Sequence, residues 1–479
     1  MAKIAFVQNL AFEYMGTMYL SSVLKQHSHQ AEAFIGDMGP KMICQIRNYN
    51  PDLVGFSCVT GLHDWCLKAA REIKKNISAK IIFGGPHPTF FPDVINEGPV
   101  DIICRGEGEG AILDIADNID KGLDYTKTQN CWFLTKSGVI KNDVRPLLED
   151  LDSLPFPDRR IYMDKYPYLK SSQKVVFTGR GCPYNCTYCF NDSLKNIYNN
   201  KGKYVRKRSV DNILEEIDLL RAKERVNTIY FQDDVFFIDK NWLEDFTLKY
   251  SKKVNLPYIC LLRVENIDEE SVKLLKESNC KNVFFGIESG CEEFRFKLLK
   301  RHITDGQIIK AAALLKEYGI RFRTYNMLGL PGETREDAFK TVHLNTAIKA
   351  DYPWCSLLYP YPGTEINSYA ASRGLILDEP RQKSHLSFFK TSVISSSCRN
   401  ELINLQKLFF YAVKFPRLEG LIKRLIKLSP NIIFDIMFLM SYGWCYLKSE
   451  NRRIREVISS GVRNVSGFYF KSGKTEVYE

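Results

Sequence analysis

The sequence predicts an α/β protein in two parts: a Rossmann-like doubly wound sheet, then a partial (β/α)6 barrel with a helical C-terminal region. Three observations predict it. Over the first 120 residues, short apolar runs alternate with amphipathic stretches, the pattern of a mostly parallel sheet covered by helices. A stretch with four prolines and no periodicity, residues 145–170, then breaks the alternation. Alternation resumes from Ser172 to about Ser368 with six strand–helix repeats, a count that suits an incomplete barrel. At 479 residues the chain is too long for one core. The expected division is 1–144, linker 145–170, barrel 171–380 and helical region 381–479.

In the first part, strands are predicted at 3–8, 31–35, 52–58, 79–83 and 100–104, with helices at 16–26, 42–48 and 62–75. The loops at the strand ends are small or Gly-rich: Ser57-Cys58-Val59-Thr60, GGPHPT at 84–89 and RGEGEG at 105–110. Ligands on such sheets bind at the carboxyl ends of strands, and small residues there let a large ligand approach the backbone. Residues 131–144 alternate like a hairpin around Ser137-Gly138. The linker is expected to lie across a domain surface.

In the second part, strands are predicted at 175–178, 228–232, 258–263, 282–287, 321–327 and 354–358. Helices are predicted at 210–223, 242–250, 269–277, 305–318 and 335–349. Polar residues fall at the strand ends: Asp233 and Asp234, Arg263, Glu288, and Gly329, Gly332 and Glu333 in MLGLPGET. Carboxylates there can take an amino group or ribose hydroxyls, and an arginine fork can take a carboxylate. Each can also simply cap a helix or pair on the barrel rim.

The first of these strands leads into GCPYNCTYCF, residues 181–190, which sets Cys182, Cys186 and Cys189 in a C-x3-C-x2-C spacing. Three thiolates this close can hold three corners of a cubane iron–sulfur cluster, which normally takes four cysteines. No further cysteine follows until Cys260, so one iron is left open for chemistry. Structural zinc wants four ligands in close pairs, and no second CxxC pair exists. Three buried structural cysteines fit a Gly/Pro/Asn-rich loop poorly.

This loop resembles that of the radical S-adenosylmethionine (SAM) enzymes. In that family the open iron of a [4Fe–4S] cluster chelates SAM, and one electron cleaves it to methionine and a 5′-deoxyadenosyl radical. The Gly-rich loops ahead of it, and the stretch YMGTMYLSSVLKQHSHQAEAF, resemble the cobalamin-binding domain of the cobalamin-dependent radical SAM subfamily. LEDLDSLPFPD in the linker and YPYPGTE after the last barrel strand are similar to that subfamily as well. The resemblance implies that Ser57, Thr60, Gly84, Gly85, His87, Gly106 and Glu107 line the corrin pocket. It implies that Glu288 and Arg263 bind SAM, joined by Asp233 and Gly329, with Tyr188 near the adenine. The D-x-H-x-x-G motif that gives cobalt a histidine in other cobalamin domains is absent after the first strand. The implied activity is methyl transfer to an unactivated carbon. Cyclisation or rearrangement with the same cofactors, a chain that has lost cobalamin, and an iron–sulfur electron carrier are the alternatives. An external donor such as flavodoxin or ferredoxin is the implied electron source, and the substrate is a small or lipid-like molecule.

Fourteen scattered cysteines argue for a reducing, cytoplasmic compartment rather than a disulfide scaffold. The opening MAKIAFVQNL reads as a strand, not a signal peptide. The net charge of +11 comes from Lys and Arg interleaved with acids, without an aromatic-rich basic patch, which argues against nucleic acid. Residues 402–428 are helical, aromatic and basic, and 432–447 are nearly apolar but short for a membrane span. A helix packed on the barrel accounts for the latter. The alternative is an interfacial helix beside Lys423, Arg424, Lys427 and Lys448, suited to a lipid-like substrate or an anionic membrane.

Overall fold

A computed structural model describes residues 1–377, 390–454 and 456. Strands β1 (Lys3–Gln8), β2 (Gln30–Ile35), β3 (Leu53–Ser57), β4 (Lys80–Gly84) and β5 (Ile102–Cys104) are parallel, and β6 (Cys131–Thr135) and β7 (Gly138–Lys141) extend the sheet antiparallel. The order is β2-β1-β3-β4-β5-β6-β7, so the chain reverses direction across the sheet between β1 and β3, where such sheets bind ligands. Alternate residues of β1 supply two cores. Ile4 and Phe6 meet helices Met15–Gln26 and Glu109–Lys121 on one face, while Ala5 and Val7 meet helices Pro40–Tyr49 and His63–Asn76 on the other.

The linker keeps Leu148, Asp150, Asp164 and Lys170 exposed but is pinned into the first part by buried anchors. It forms a short helix, Arg160–Met163, that drives Tyr162 fully into the first core, where its hydroxyl donates to Gln8 Oε1 at 2.7 Å. Tyr166 accepts from the Ile35 N–H and donates to the Ala33 carbonyl at the end of β2. Prolines hide this from a periodicity reading, because the anchors are single aromatics rather than a repeating face.

The second sheet starts with β8 (Gln173–Val176), after which β9 (Gly179–Arg180) and β10 (Arg206–Lys207) pair antiparallel in a two-residue ribbon. It continues with β11 (Thr228–Phe231), β12 (Tyr258–Leu262), β13 (Cys280–Glu288), β14 (Arg321–Leu328) and β15 (Tyr352–Leu357). The six long strands are all parallel, in sequence order, with β8 and β15 at the edges: an open barrel. Its outer helices begin where the sequence offers N-caps: Ser209, Asp239, Asp268, Thr304 and Thr334 each accept a backbone N–H of the first turn. Strand β8 stops at Val176 rather than Thr178, because Asp233 takes the N–H groups of Thr178 and Gly179 at 2.9 and 2.8 Å.

The C-terminal helices Arg399–Lys414 and Ile432–Ser449 pack on β14 and β15, as the packed-helix reading expects. The chain then crosses the barrel floor. Ser449 and Glu450 accept from Asn282, Gln173 and Arg323, and Asn451 donates to Thr228, all near the starts of their strands.

Candidate active site between the two sheets

The carboxyl ends of the two sheets face each other across a cavity of about 540 Å³. One wall carries Ser57, Gly84, Gly85, Gly106 and Glu107 from the strand ends of the first sheet. The other carries Arg180 of β9, Gly181 and Phe190 at the two ends of the cysteine loop, and Asn191 and Leu194 of the helix after it, with Gln232, Asp233 and Asp234 after β11. Thr60 and His87 sit beside this opening rather than on it. His87 is buried, hydrogen-bonded to Thr60 at 3.1 Å and stacked on His63 at 4.0 Å.

Local backbone explains the glycines. Gly181 has φ +86°, and a Cβ there would collide with the Tyr204 carbonyl, so only glycine lets the cysteine loop lie on its neighbour. Gly85 has φ +94°, with a Cβ position 3.0 Å from the Cys58 carbonyl oxygen. The Gly106 loop is clasped from the barrel side: the Tyr198 hydroxyl accepts the Glu107 N–H at 2.8 Å. Glu107 also pairs with Arg206 at 2.5 Å and Arg180 at 3.3 Å, and Arg180 with Glu109 at 2.6 Å. These four charges join the two sheets beside the cavity. Sequence reasoning reached only Glu107 among them, since Arg180, Arg206 and Glu109 lie on separate segments with nothing to link them.

The cysteine loop spans β9 to helix Phe190–Ile197. Cys186 is buried, while Cys182 and Cys189 are partly open. Burial pushes the Cys182 thiol up to about 11, with Asp234 and the two other cysteines adding to it, and burial raises Cys189 as well. Arg263 donates to Cys186 Sγ at 3.1 Å and lies over the Tyr184 ring at 3.7 Å, with Glu265 holding its other edge at 2.6 Å. The guanidinium therefore belongs to the cysteine site as much as to any ligand carboxylate.

Glu288 ends β13 with φ +68°, a conformation non-glycine residues rarely adopt, at a register shift between β13 and β14. Its side chain is buried, which raises its carboxyl pKa against the pull of Arg301 and the Tyr188 hydrogen bond. Tyr188 donates to Glu288 at 3.0 Å, and Arg301 donates to Tyr188 at 3.2 Å and to the Gly286 carbonyl at 2.6 Å. Arg301 was invisible in the sequence, where it follows a π-helical turn (Phe294–Leu298) with no motif around it. Asp233 keeps Oδ2 buried without a hydrogen-bond partner among the described residues, whereas Asp234 is exposed in the cavity. Gly329 has φ +78° and donates its N–H to Glu333 at 2.5 Å. Glu333 does not start the following helix; Thr334 caps it. Glu333 is 2% exposed and also takes the Leu330 N–H, and burial lifts its carboxyl to about 8.

A second cavity of about 390 Å³ shares Gly16, Ser57, Phe177 and Gln232 with the first and reaches along β8 to Gln173, where Tyr446, Arg452 and Glu456 line it. Glu13 stands in its wall with Oε1 buried and unpartnered among the described residues, and burial raises its pKa.

These features fit the implied cofactors. Three thiols stand on one short loop, near enough for Cys186 and Cys189 to raise the Cys182 pKa, although among the described residues no group of three or more His, Cys, Asp or Glu is placed to hold a metal ion. A cubane spreads its thiolates over separate iron corners. On the facing wall the strand ends carry glycines and Ser57, which leave room for a broad planar ligand at the switch point. All fourteen cysteines are unpaired thiols.

Comparison with known proteins agrees with this geometry. The Radical SAM superfamily model matches residues 176–344, and the B12 binding domain model matches 10–116. An uncharacterised methyltransferase of Pyrococcus horikoshii, PH0819, is 30% identical over 374 residues, covering 76% of this chain and 79% of that protein. The anaerobic magnesium-protoporphyrin IX monomethyl ester cyclase of Rubrivivax gelatinosus is 25% identical over 73% of this chain, which spans 64% of the cyclase. Among solved structures, the radical SAM methyltransferase TsrM of Kitasatospora setae with cobalamin and a [4Fe–4S] cluster bound aligns at TM-score 0.70 and 15% identity, over 96% of this chain and 99% of its own. The cobalamin-dependent radical SAM enzyme OxsB aligns at TM-score 0.70 and 17% identity, over 98% of this chain and 76% of its own. With the cysteine loop and the glycine loops on facing walls, and both family models matched, the chain belongs to the cobalamin-dependent radical SAM enzymes, whose cofactors are a [4Fe–4S] cluster, SAM and cobalamin.

Proposed function

We propose that the protein is a methyltransferase acting on an unactivated carbon of a small molecule, inside the cavity between the sheets. The observation that carries this reading is that one cavity is lined at once by the two ends of the cysteine loop, Gly181 and Phe190, and by the glycine strand ends of the first sheet, with the three thiols and Tyr188, Arg263, Glu288 and Gly329 outside its lining. Bound there, the three groups would supply a carbon-centred radical and a methyl donor within reach of one cavity. Relatives named as methyltransferases support the choice: PH0819 and the cytidylyl-2-hydroxyethylphosphonate methyltransferase of Streptomyces wedmorensis. Ring closure without methyl transfer is the second reading, favoured by the cyclase relatives.

In this reading Cys182, Cys186 and Cys189 hold the cluster, and Arg263 steadies Cys186 while screening its charge. Glu288, set by Arg301 and Tyr188, takes the SAM amino group, and Asp234 or Asp233 takes a hydroxyl. Gly329 keeps the β14 end close to that site through Glu333. Ser57, Gly84, Gly85, Gly106 and Glu107 cradle the corrin, with Thr60 and His87 behind them. The side cavity along β8 receives the remote part of the substrate, where Glu13 offers an acceptor for an amine or hydroxyl. An external flavodoxin or ferredoxin delivers the electron, in a reducing, cytoplasmic compartment. The division at 144/145 and 170/171 remains the working domain map, and the 380/381 boundary lies outside the described residues.

Anaerobic reconstitution with iron, sulfide and hydroxocobalamin, followed by desalting, tests the reading. About four irons and one cobalt per chain are expected, and transfer of label from methyl-labelled SAM then separates methylation from cyclisation. Iron without cobalt would overturn the two-cofactor assignment for this chain.

A further inference from the structure

Helix Ile432–Ser449 has two apolar faces, and among the described residues only one of them is covered. At about 100° per residue, Phe434, Phe438, Ser441, Cys445 and Ser449 fall together and are buried against helix Arg399–Lys414 and strands β14 and β15. Ile432, Ile433, Ile436, Met440 and Trp444 fall within an arc of about 120° on the other side and are exposed, Ile433 by 64% and Met440 by 66%. The preceding segment also exposes Leu418, Leu421 and Leu428.

The exposed charges of this segment are of one sign. The exposed charged residues over 415–449 are Arg417, Lys423, Arg424, Lys427 and Lys448. The two acids of the segment are partly buried and paired, Glu419 with Lys423 and His343, and Asp435 with Lys407. A second copy of the chain meeting this face across a two-fold axis would set basic residues against basic residues. An apolar strip in a segment whose exposed charges are all cationic matches a surface that is anionic outside and apolar beneath. Among the described residues no helix is long and apolar enough to cross a membrane, so the strip is suited to lying on one.

We propose that this face docks peripherally on an anionic lipid bilayer. Ile433, Ile436, Met440 and Trp444 enter the boundary between headgroups and acyl chains, and Arg417, Arg424, Lys427 and Lys448 meet lipid phosphates. The covered face keeps the helix fixed to β14 and β15, so docking sets the whole barrel against the bilayer. The inference is independent of the reaction proposed above.

Flotation of the full-length reconstituted protein with vesicles tests it. Vesicles of phosphatidylcholine are compared with vesicles containing roughly one third phosphatidylglycerol, at low and high salt. The protein is expected to float with the anionic vesicles at least about tenfold more than with the neutral ones, and to be released by salt. The double variant Ile436→Glu/Met440→Glu should stay at the bottom, and Arg424→Glu/Lys427→Glu should float less and lose the salt dependence. All four positions are exposed, so helix content and iron content should match the parent chain. Equal flotation with both vesicles, or no flotation with either, overturns the proposal. So does a dimer in light scattering that Ile436→Glu/Met440→Glu converts to monomer, which would give the face to a second copy.

Discussion

At the scale of single residues, the site depends on side chains that hold other side chains. Arg301 spans Tyr188 and the Gly286 carbonyl with a planar fork, and a lysine can reach only one of them. Arg301→Lys is expected to cost about 1–3 kcal/mol of stability, with SAM affinity falling about tenfold as Glu288 loses its fixed position. Equilibrium dialysis with labelled SAM and a thermal melt check this; iron per chain should stay unchanged. Glu333 gives a pH signature. Its folded pKa of about 8 lies above the ordinary glutamate value of 4.5, so the folded state binds a proton that the unfolded state releases. The contribution is therefore full below about 4.5 and is lost as pH rises through about 8. Glu333→Gln keeps an acceptor for Gly329 and Leu330 and carries no charge. Its melting temperature should exceed that of the parent at pH 8 to 9 and converge with it near pH 5; equal gaps at both ends would refute the burial argument.

Elements matter through their ends. The cysteine loop is seated by Gly181, whose positive φ and contact with Tyr204 leave no room for a side chain. Gly181→Ala should cost on the order of 1–3 kcal/mol of local strain, and the reconstituted protein should hold fewer irons while its cobalt content is unchanged. The linker helix is an element that single aromatics define. Tyr162→Phe removes a buried hydroxyl from Gln8 and is expected to lower stability by about 1 kcal/mol, measurable as a lower melting temperature with both metals retained.

For the whole molecule, the joint between the sheets is electrostatic beside the cavity. Arg206 is buried, paired with Glu107 of the first sheet and bonded to the Leu148 carbonyl of the linker. Among the described residues, Arg206→Ala leaves the Glu107 carboxylate with only the longer Arg180 contact, a loss on the order of 3–5 kcal/mol. Calorimetry should then show the two sheets unfolding in separate steps, where the parent chain unfolds them closer together. Cobalt retention should fall, because the Gly106–Glu107 loop loses its clasp.

The sequence by itself determined the two α/β repeats, because hydrophobic period and N-cap residues are local signals. The strands 3–8 and helices 210–223 and 269–277 coincide with those observed, each helix preceded by a capping Ser209 or Asp268. It also determined the cysteine loop, since three ligands within eight residues need no tertiary contact to come together. What only the tertiary structure decided depends on distance along the chain. Arg301 reaches Tyr188 across 113 residues, Arg206 reaches Glu107 across 99, and Ser449 accepts from Asn282 across 167. No periodicity encodes such pairs, because each is a single contact set by how two sheets and a terminal helix pack. The apolar run 432–447 shows the same division: composition left a packed helix and an interfacial one both open, and among the described residues only packing on β14 and β15 decided which side is covered.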